Sequence, residues 1–467
     1  MKQVAGRDAA YLYLGDGNAS ATVVSCHIVA NPADRPLAIT QDQLLEWIRE
    51  RIWITDLLTS KLIRLPVDIG FPYWLPDPEF SPAAHLRVHR TDGTWAAARD
   101  LLAVVGDTPM DLDHAPWLMH VIPDLTGVPD RTGLSSLVVF QFHHVAFDGV
   151  TSATLGEKVF SEGTVDEHTR AAGRVVGPGT ASRAALTRRE LQRTPGLWWR
   201  FARVGVGLIR TSRDKSRRRA RTGDTTGRRT WPTTRFNGIF RGPRVAGHLL
   251  FDRNDVLEMK SRVPGATVND LILSIVGEAV AEYLERKNEA PGSSLSALVP
   301  VSTRGMRETD SANQFIPMVV DLQTCEPNLR DRILAIASET TRKKARMKAH
   351  LATTPVELID VAPAPVLRLI GYLSRRGRKR VVGHPRFNVV ITNLPGEQPH
   401  GSILGIDVVD SFVMQPLGSG ATLAHAVSDR GDAIAMSITV DQTVMPDVNE
   451  YCEIIRDSFK AHQIAIN

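Results

Sequence analysis

Leu134-Ser135-Ser136-Leu137-Val138-Val139-Phe140-Gln141-Phe142 runs directly into His143-His144-Val145-Ala146-Phe147-Asp148-Gly149. The first stretch is apolar and β-branched, as a buried strand is. Val150-Thr151-Ser152-Ala153 can start a helix, and Asp148-Gly149 closes the turn between strand and helix. Two imidazoles are thus delivered to a strand end. Histidine is the side chain whose ordinary pKa lets it take a proton near neutral pH and pass it on. An imidazole held there, with a carboxylate a few residues on, has the makings of a general base on a rigid scaffold.

Outward from this stretch, strands and helices mix. Thr22 to Val29 and Trp117 to Ile122 read as strands, and Thr40 as the N-cap of a helix carrying Leu44, Leu45, Trp47, Ile48 and Ile52. Pro66 to Pro82 is Pro-rich and extended, and its aromatic residues (Phe71, Tyr73, Trp74, Phe80) suit either the core or the lining of an acyl tunnel. In the second half, Arg244 to Phe251, Leu295 to Pro300, Met318 to Leu322, Phe387 to Ile391 and Ile434 to Val440 read as strands. Thr267 caps a helix through Glu282, and Leu329 to Lys348 and Val448 to His462 are helical. The 467 residues exceed one ordinary core, so two domains of about 200 residues are expected. Without strict strand–helix alternation, the fold class is α+β. The boundaries fall at 1–165, 166–235 and 236–467, the middle piece being a crossover.

The charge is uneven. Ala171 to Thr230 holds 16 Lys and Arg against three acidic residues, a local balance of +13, while the rest carries 40 basic and 48 acidic residues. The basic character belongs to one segment, and no aromatic or groove-reading motif accompanies it, so nucleic acid is not an expected partner. Within it, Trp198, Trp199 and Phe201 alternate with Arg200, Arg203 and Arg210, followed by the basic run Arg213 to Arg221. Residues 196–221 therefore suit a membrane or lipid-droplet surface, or else a solvated linker, with disorder expected near 212–230. No run of 18 apolar residues and no signal peptide is apparent. The three cysteines, Cys26, Cys325 and Cys452, form neither a disulfide framework nor a metal motif. A cytoplasmic protein, peripheral on the inner membrane face or on lipid droplets, is expected.

Strand neighbours point to opposite faces, so only one of the two histidines faces a given site. No HExxH or Cys/His cluster supports a metal, and no GxSxG elbow supports a serine hydrolase. That leaves a histidine acting as base on a hydroxyl or amine.

HHxxxDG is the signature of a superfamily of CoA-dependent acyltransferases. More narrowly, the chain resembles the bacterial wax ester synthase/diacylglycerol acyltransferase family. Arg7-Asp8-Ala9-Ala10-Tyr11-Leu12 is similar to that family's LDAxFL start, and Trp74, Asp77-Pro78-Glu79-Phe80 and His85-Leu86 to its W…DPxFD…H stretch. Leu112-Asp113 through Pro116-Trp117 is similar to LDRxRPLW. Thr267-Val268-Asn269-Asp270 matches TVND, Val299 through Arg304 matches VPVSxR, and Asn313 stands where the family has GN. Thr392-Asn393-Leu394-Pro395-Gly396 resembles SNVPGP. The chain departs from the pattern after Trp117, at Glu397, and across Ser411 to Gly418, places where acyl or alcohol selectivity can differ.

The resemblance implies two chloramphenicol-acetyltransferase-like domains, each a mixed sheet with helices. It implies acyl transfer from acyl-CoA, the co-substrate, to a lipid alcohol acceptor, either diacylglycerol or a fatty alcohol, with no metal and no further cofactor. His144 would be the base. Asp148 would order the loop, Gly149 would let substrate approach closely, and His143 would be a packing or hydrogen-bonding neighbour. Asn269 either donates to an oxyanion or caps its helix, and Asp270 either lies beside substrate or caps it; both readings stand at this point. Ser302 and Arg304 are expected near substrate or in turn chemistry, with Arg304 a partner for Asp148 across the domains. A related acyltransferase acting on a specialised-metabolite alcohol or amine, and a non-catalytic lipid-binding or droplet protein, are the alternatives.

Overall fold

The computed structural model describes residues 2–14, 21–37, 39–129, 131–147, 155–156, 158–160, 182–222, 230–303, 311, 314–353, 358–378, 384–394 and 401–466. Residues 2–143 supply the helices α1 (Gly6–Tyr13), α2 (Gln41–Arg49) and α3 (Trp95–Asp107). The same segment supplies β1 (Lys2–Gln3), β2 (Thr22–Ala30), β3 (Ser60–Ile63), β4 (Tyr73–Pro76), β5 (Leu86–Val88), β6 (Trp117–Leu125) and β7 (Ser135–His143). All nine residues of β7 are buried, because it is sandwiched on both faces and paired on both edges, by β2 and β6. Its residues alternate between two cores. Val138, Phe140 and Phe142 pack with α2 residues Leu44 and Ile48, whereas Leu137 and Val139 pack with α3 residues Ala98 and Leu102. This is why the run reads as continuously apolar rather than alternating. Thr40 accepts from Gln43 N–H and closes a capping box at the start of α2.

The second half contains α4 (Arg183–Thr222), β8 (Arg244–Asp252), α5 (Arg253–Ser261), α6 (Val268–Arg286), β9 (Ser296–Ser302), β10 (Phe315–Asp321), α7 (Leu329–Thr353), α8 (Ala364–Arg378) and β11 (Val389–Asn393). The chain ends with β12 (Ser402–Ile403), β13 (Ile406–Met414), β14 (Leu423–Asp429), β15 (Ala433–Asp441) and α9 (Val448–Ile466). Among the described residues, one six-stranded sheet has the order β10-β9-β11-β14-β15-β8 and joins α6, α7 and α9 in one apolar core. β11 runs parallel to both its neighbours; the other pairs are antiparallel.

The first sheet has the order β12-β13-β2-β7-β6-β5, and its β12 and β13 come from residues 402–414. The expected boundary, with everything from 236 onward in a C-terminal domain, is therefore corrected at this segment. β13 runs antiparallel to β2, from Val408 opposite Val29 to Met414 opposite Val24. The reason is the free edge of β2: without β13 its N–H and C=O groups would lack a ladder partner while its side chains are buried on both faces.

A second correction concerns the crossover. Residues 183–222 form one long helix, so the disorder expected near 212–230 does not hold up to residue 222. Arg, Lys, Ala and Leu are good helix formers, which is why a basic run without apolar periodicity still coils. Its first turns dock on the N-terminal half: Leu186 is buried with Leu65 and Tyr73, and the Tyr73 hydroxyl donates to Glu190 at 2.5 Å.

The two sheets are locked together by Arg244 on β8, whose side chain is buried. It donates to the carbonyls of Thr22 (2.8 Å), Gln415 (2.9 Å) and Gly106, and pairs with Asp107 at 3.1 Å. Thr22 lies opposite His143 in the β2–β7 ladder, so this lock sits beside the paired histidines.

Candidate active site

β7 ends at His143, and the chain turns immediately. Ala146 N–H donates to the His143 carbonyl at 2.9 Å, and His143 N–H donates to the Pro116 carbonyl at 3.1 Å. His144 N–H donates to the Ala21 carbonyl at 2.8 Å, anchoring the second histidine to the entry of β2. Asp148, Gly149 and Arg304 lie outside the described residues, as do Asn313, Pro395 and Gly396.

The two imidazoles have different environments. His143 is buried, and its Nδ1 accepts from Val145 N–H at 3.1 Å. An accepting Nδ1 places the ring proton on Nε2 and keeps the ring neutral. Burial, then the neighbouring His144 and the Arg64 guanidinium, push its pKa down to about 3. It titrates too low to act as a base–acid shuttle near neutral pH. His144 is half-buried, and its ring lies flat against Tyr11 of α1, with centroids 4.0 Å apart and planes 8° from parallel.

α1 is a bridge between the halves of the molecule. The Arg7 side chain pairs with Asp360 at 2.6 Å and donates to the Phe315 carbonyl at 3.0 Å. The buried Asp8 accepts from the Ser311 hydroxyl at 2.7 Å. At the other end Tyr13 donates to Asp68 at 3.2 Å, and Asp68 also pairs with Arg368 of α8 at 2.9 Å. A cleft of about 870 Å³ opens at the N-terminus of α1, lined among others by Arg7, Phe71, Leu197, Trp199 and Asp360. Of the aromatic stretch, Phe71 lines this cleft from the core it shares with Trp74, and Tyr73 is buried in a smaller cluster.

In the second half, α6 begins at Val268 with Thr267 as N-cap. Asp270, expected beside substrate, is 1% exposed. One carboxylate oxygen accepts from the backbone and hydroxyl of Thr267 (2.9 and 2.7 Å), and the other from the Thr340 hydroxyl at 2.8 Å. Both oxygens are engaged inside the protein, in a capping box and a tie to α7. Asn269 is half-buried and takes no part in that box. Its Oδ1 accepts from Asn393 Nδ2, at the end of β11, at 2.5 Å. With the oxygen occupied, the Asn269 NH₂ is the group turned to other acceptors, at the positive end of a helix. Ser302 is exposed at the last position of β9, opposite Phe315.

His144 thus follows a strand of the first sheet and Asn269 stands in the first turn of a helix packed in the core of the second, each beside a residue that spacing alone did not single out: Tyr11 and Asn393. Both lie within the quoted stretches Arg7–Leu12 and Thr392–Gly396, which was the available signal.

Residues 4–272 match the family model of the wax ester synthase/diacylglycerol acyltransferase catalytic domain, and residues 311–463 match that of the WS/DGAT C-terminal domain. A relative from Mycobacterium tuberculosis (strain ATCC 25618 / H37Rv), named probable diacyglycerol O-acyltransferase tgs1, is 24% identical over 464 residues, covering 97% of this chain and 93% of its own. Among solved structures, a wax ester synthase/diacylglycerol acyltransferase from Marinobacter aquaeolei VT8 superposes with a TM-score of 0.68 at 17% identity, covering all of both chains. The condensation domain of the Monacolin K polyketide synthase MokA superposes with a TM-score of 0.57 at 12% identity, covering 100% of this chain and 97% of its own. The fold is therefore the two-domain α+β architecture of these acyltransferases and condensation domains, and the chain belongs to the wax ester synthase/diacylglycerol acyltransferase family.

Proposed function

We propose that the protein transfers a long-chain acyl group from acyl-CoA to the hydroxyl of a lipid acceptor, diacylglycerol or a fatty alcohol, with His144 as general base. The observation that carries this reading is the division of labour between the two histidines: His143 is locked neutral by burial and the Val145 N–H, and His144 is half-buried, anchored through its backbone and stacked on Tyr11. His144 takes the acceptor's hydroxyl proton as its oxygen attacks the thioester carbonyl. The tetrahedral intermediate carries its negative charge on the former carbonyl oxygen, where the Asn269 NH₂ donates. The C–S bond then breaks, and the CoA sulfur leaves with the proton held by His144. A thioester is already activated, so placement and one base supply most of the catalysis.

Two exposed apolar surfaces favour a lipid acceptor. On α4, Trp199 is 61% exposed, and Arg203 stacks over it at 5.0 Å. On α8, Leu369 and Leu373 are each 56% exposed, next to exposed Ile370 and Tyr372. Arg376 covers Tyr372 at 5.1 Å, and the sequence continues Gly377-Arg378-Lys379-Arg380. Apolar residues flanked by arginines form the surface that rests on anionic headgroups with side chains in the acyl layer. No helix among the described residues is long and apolar enough to cross a membrane, so the contact proposed is peripheral.

The test of the base is His144→Ala, assayed by thiol release across a panel of acyl-CoAs and alcohols. Turnover is expected to fall by about 10²- to 10⁴-fold with the fold intact. Unchanged turnover would remove His144 from the chemistry.

A further inference from the structure

The stack of Tyr11 on His144 joins elements far apart in the chain, and the reaction outlined above does not use it. Arg7, Asp8 and Tyr11 are spaced i, i+1 and i+4, so they share one side of α1. Through that side Arg7 holds Asp360 and the Phe315 carbonyl, and Asp8 holds Ser311, all in the second half of the chain. The helix is pinned at its other end too, by Tyr13 on Asp68 and by the close approach of Gly371, where any Cβ would run into the Tyr13 carbonyl. A ring in the middle of a helix held at both ends cannot drift.

We infer that Tyr11 is a positioning residue for His144: its ring face fixes the plane of the imidazole and stabilises the imidazolium formed when His144 takes the acceptor's proton. Stacked with centroids 4.0 Å apart, the two rings meet face to face, so the contact fixes the plane of the imidazole without engaging either ring nitrogen; Nδ1 is buried, which leaves Nε2 as the nitrogen for the acceptor hydroxyl. The π face of tyrosine is electronegative, so the attraction grows when the ring above it becomes a cation. That gain exists after proton transfer and not before it, so it acts on turnover rather than on substrate binding. It resides in the ring, not in the hydroxyl, so phenylalanine should supply it and an aliphatic side chain should not. Because the same side of α1 grips the second half of the chain, the base is oriented by contacts that exist only when both halves are assembled.

This inference rests on His144 being the base, and the experiment separates the two. Tyr11→Phe, Tyr11→Leu and His144→Ala are made in the full chain and assayed with palmitoyl-CoA and hexadecanol by thiol release. Tyr11→Phe is expected within about threefold of the unmodified protein, and Tyr11→Leu about 3- to 30-fold lower in kcat, with both KM values changed less than about twofold. Should Tyr11→Leu not fold, Tyr11→Met, which restores volume without a π face, is read in its place. Wild-type kcat in the aliphatic variant, a KM effect instead of a kcat effect, or an equal loss in Tyr11→Phe would each overturn the role of the ring. If His144→Ala is inactive in any of those cases, the base stands and only Tyr11 falls; an active His144→Ala overturns both.

Discussion

Asn269 and Asp270 are neighbours in the chain with different duties, which one turn of helix decides. Asp270 is at N3, where a carboxylate reaches back to the Thr267 N–H and hydroxyl; Asn269 is one position earlier and clear of that box. The substitution pair should separate them. Asn269→Ala is expected to lower kcat by about 10²-fold if its amide receives the oxyanion, with little change in melting temperature. Asp270→Ala removes the acceptor of the Thr267 cap and leaves the buried Thr340 hydroxyl only the Ala337 carbonyl, at a cost of about 1–3 kcal/mol in stability. Urea unfolding and steady-state kinetics on both variants check this, and the reverse pattern would exchange the roles. The paired histidines divide in the same way. Both are visible in the sequence, but their difference depends on how deep each ring is buried and on which backbone N–H it meets.

Among the elements, those with a strong local signal are where the sequence places them. β2, β7, α2 and α6 are marked by a β-branched run or by a Thr cap with a Gln or Asp three residues on, features set within a few residues. α3, β13 and β14 were not anticipated, because their alternation is blurred by burial on two faces or by contact with both domains. α8 escapes such a reading for another reason: Ala364 and Leu367 enter the core while Leu369, Ile370, Tyr372 and Leu373 face outward, so its apolar residues mark no single buried stripe. That outward face makes it the better place to test lipid contact. Leu369→Asp with Leu373→Asp should reduce co-sedimentation with phosphatidylglycerol vesicles about tenfold or more. Both positions are more than half exposed, so melting temperature should hardly change. Equal sedimentation of variant and parent would remove α8 as a lipid-contacting surface.

At the scale of the molecule, the halves are interleaved, not merely adjacent. β13 completes the first sheet, α1 reaches the second half, and Arg244 ties β8 to three carbonyls and Asp107 at the base of the histidine strand. Arg244→Met should destabilise the protein by about 3–5 kcal/mol, since three carbonyls and a carboxylate lose this buried guanidinium, and urea unfolding will show it. A loss below about 1 kcal/mol would mean that the halves hold together without this residue. The sequence by itself determined the two-domain α+β class, the strand that ends on His143 and His144, the capped helix carrying Asn269, and, through motifs in a family's order, the kind of chemistry. These depend on local propensity, apolar period and residue identity, which are written along the chain. Only the tertiary structure decided that residues 402–414 belong to the first sheet, that the second carboxylate oxygen of Asp270 is taken by Thr340 of α7, and that Tyr11 lies on His144. Each of those joins residues tens to hundreds of positions apart, and such a pairing is chosen by which buried edge, orphan polar group or ring face is left to satisfy once the rest has packed.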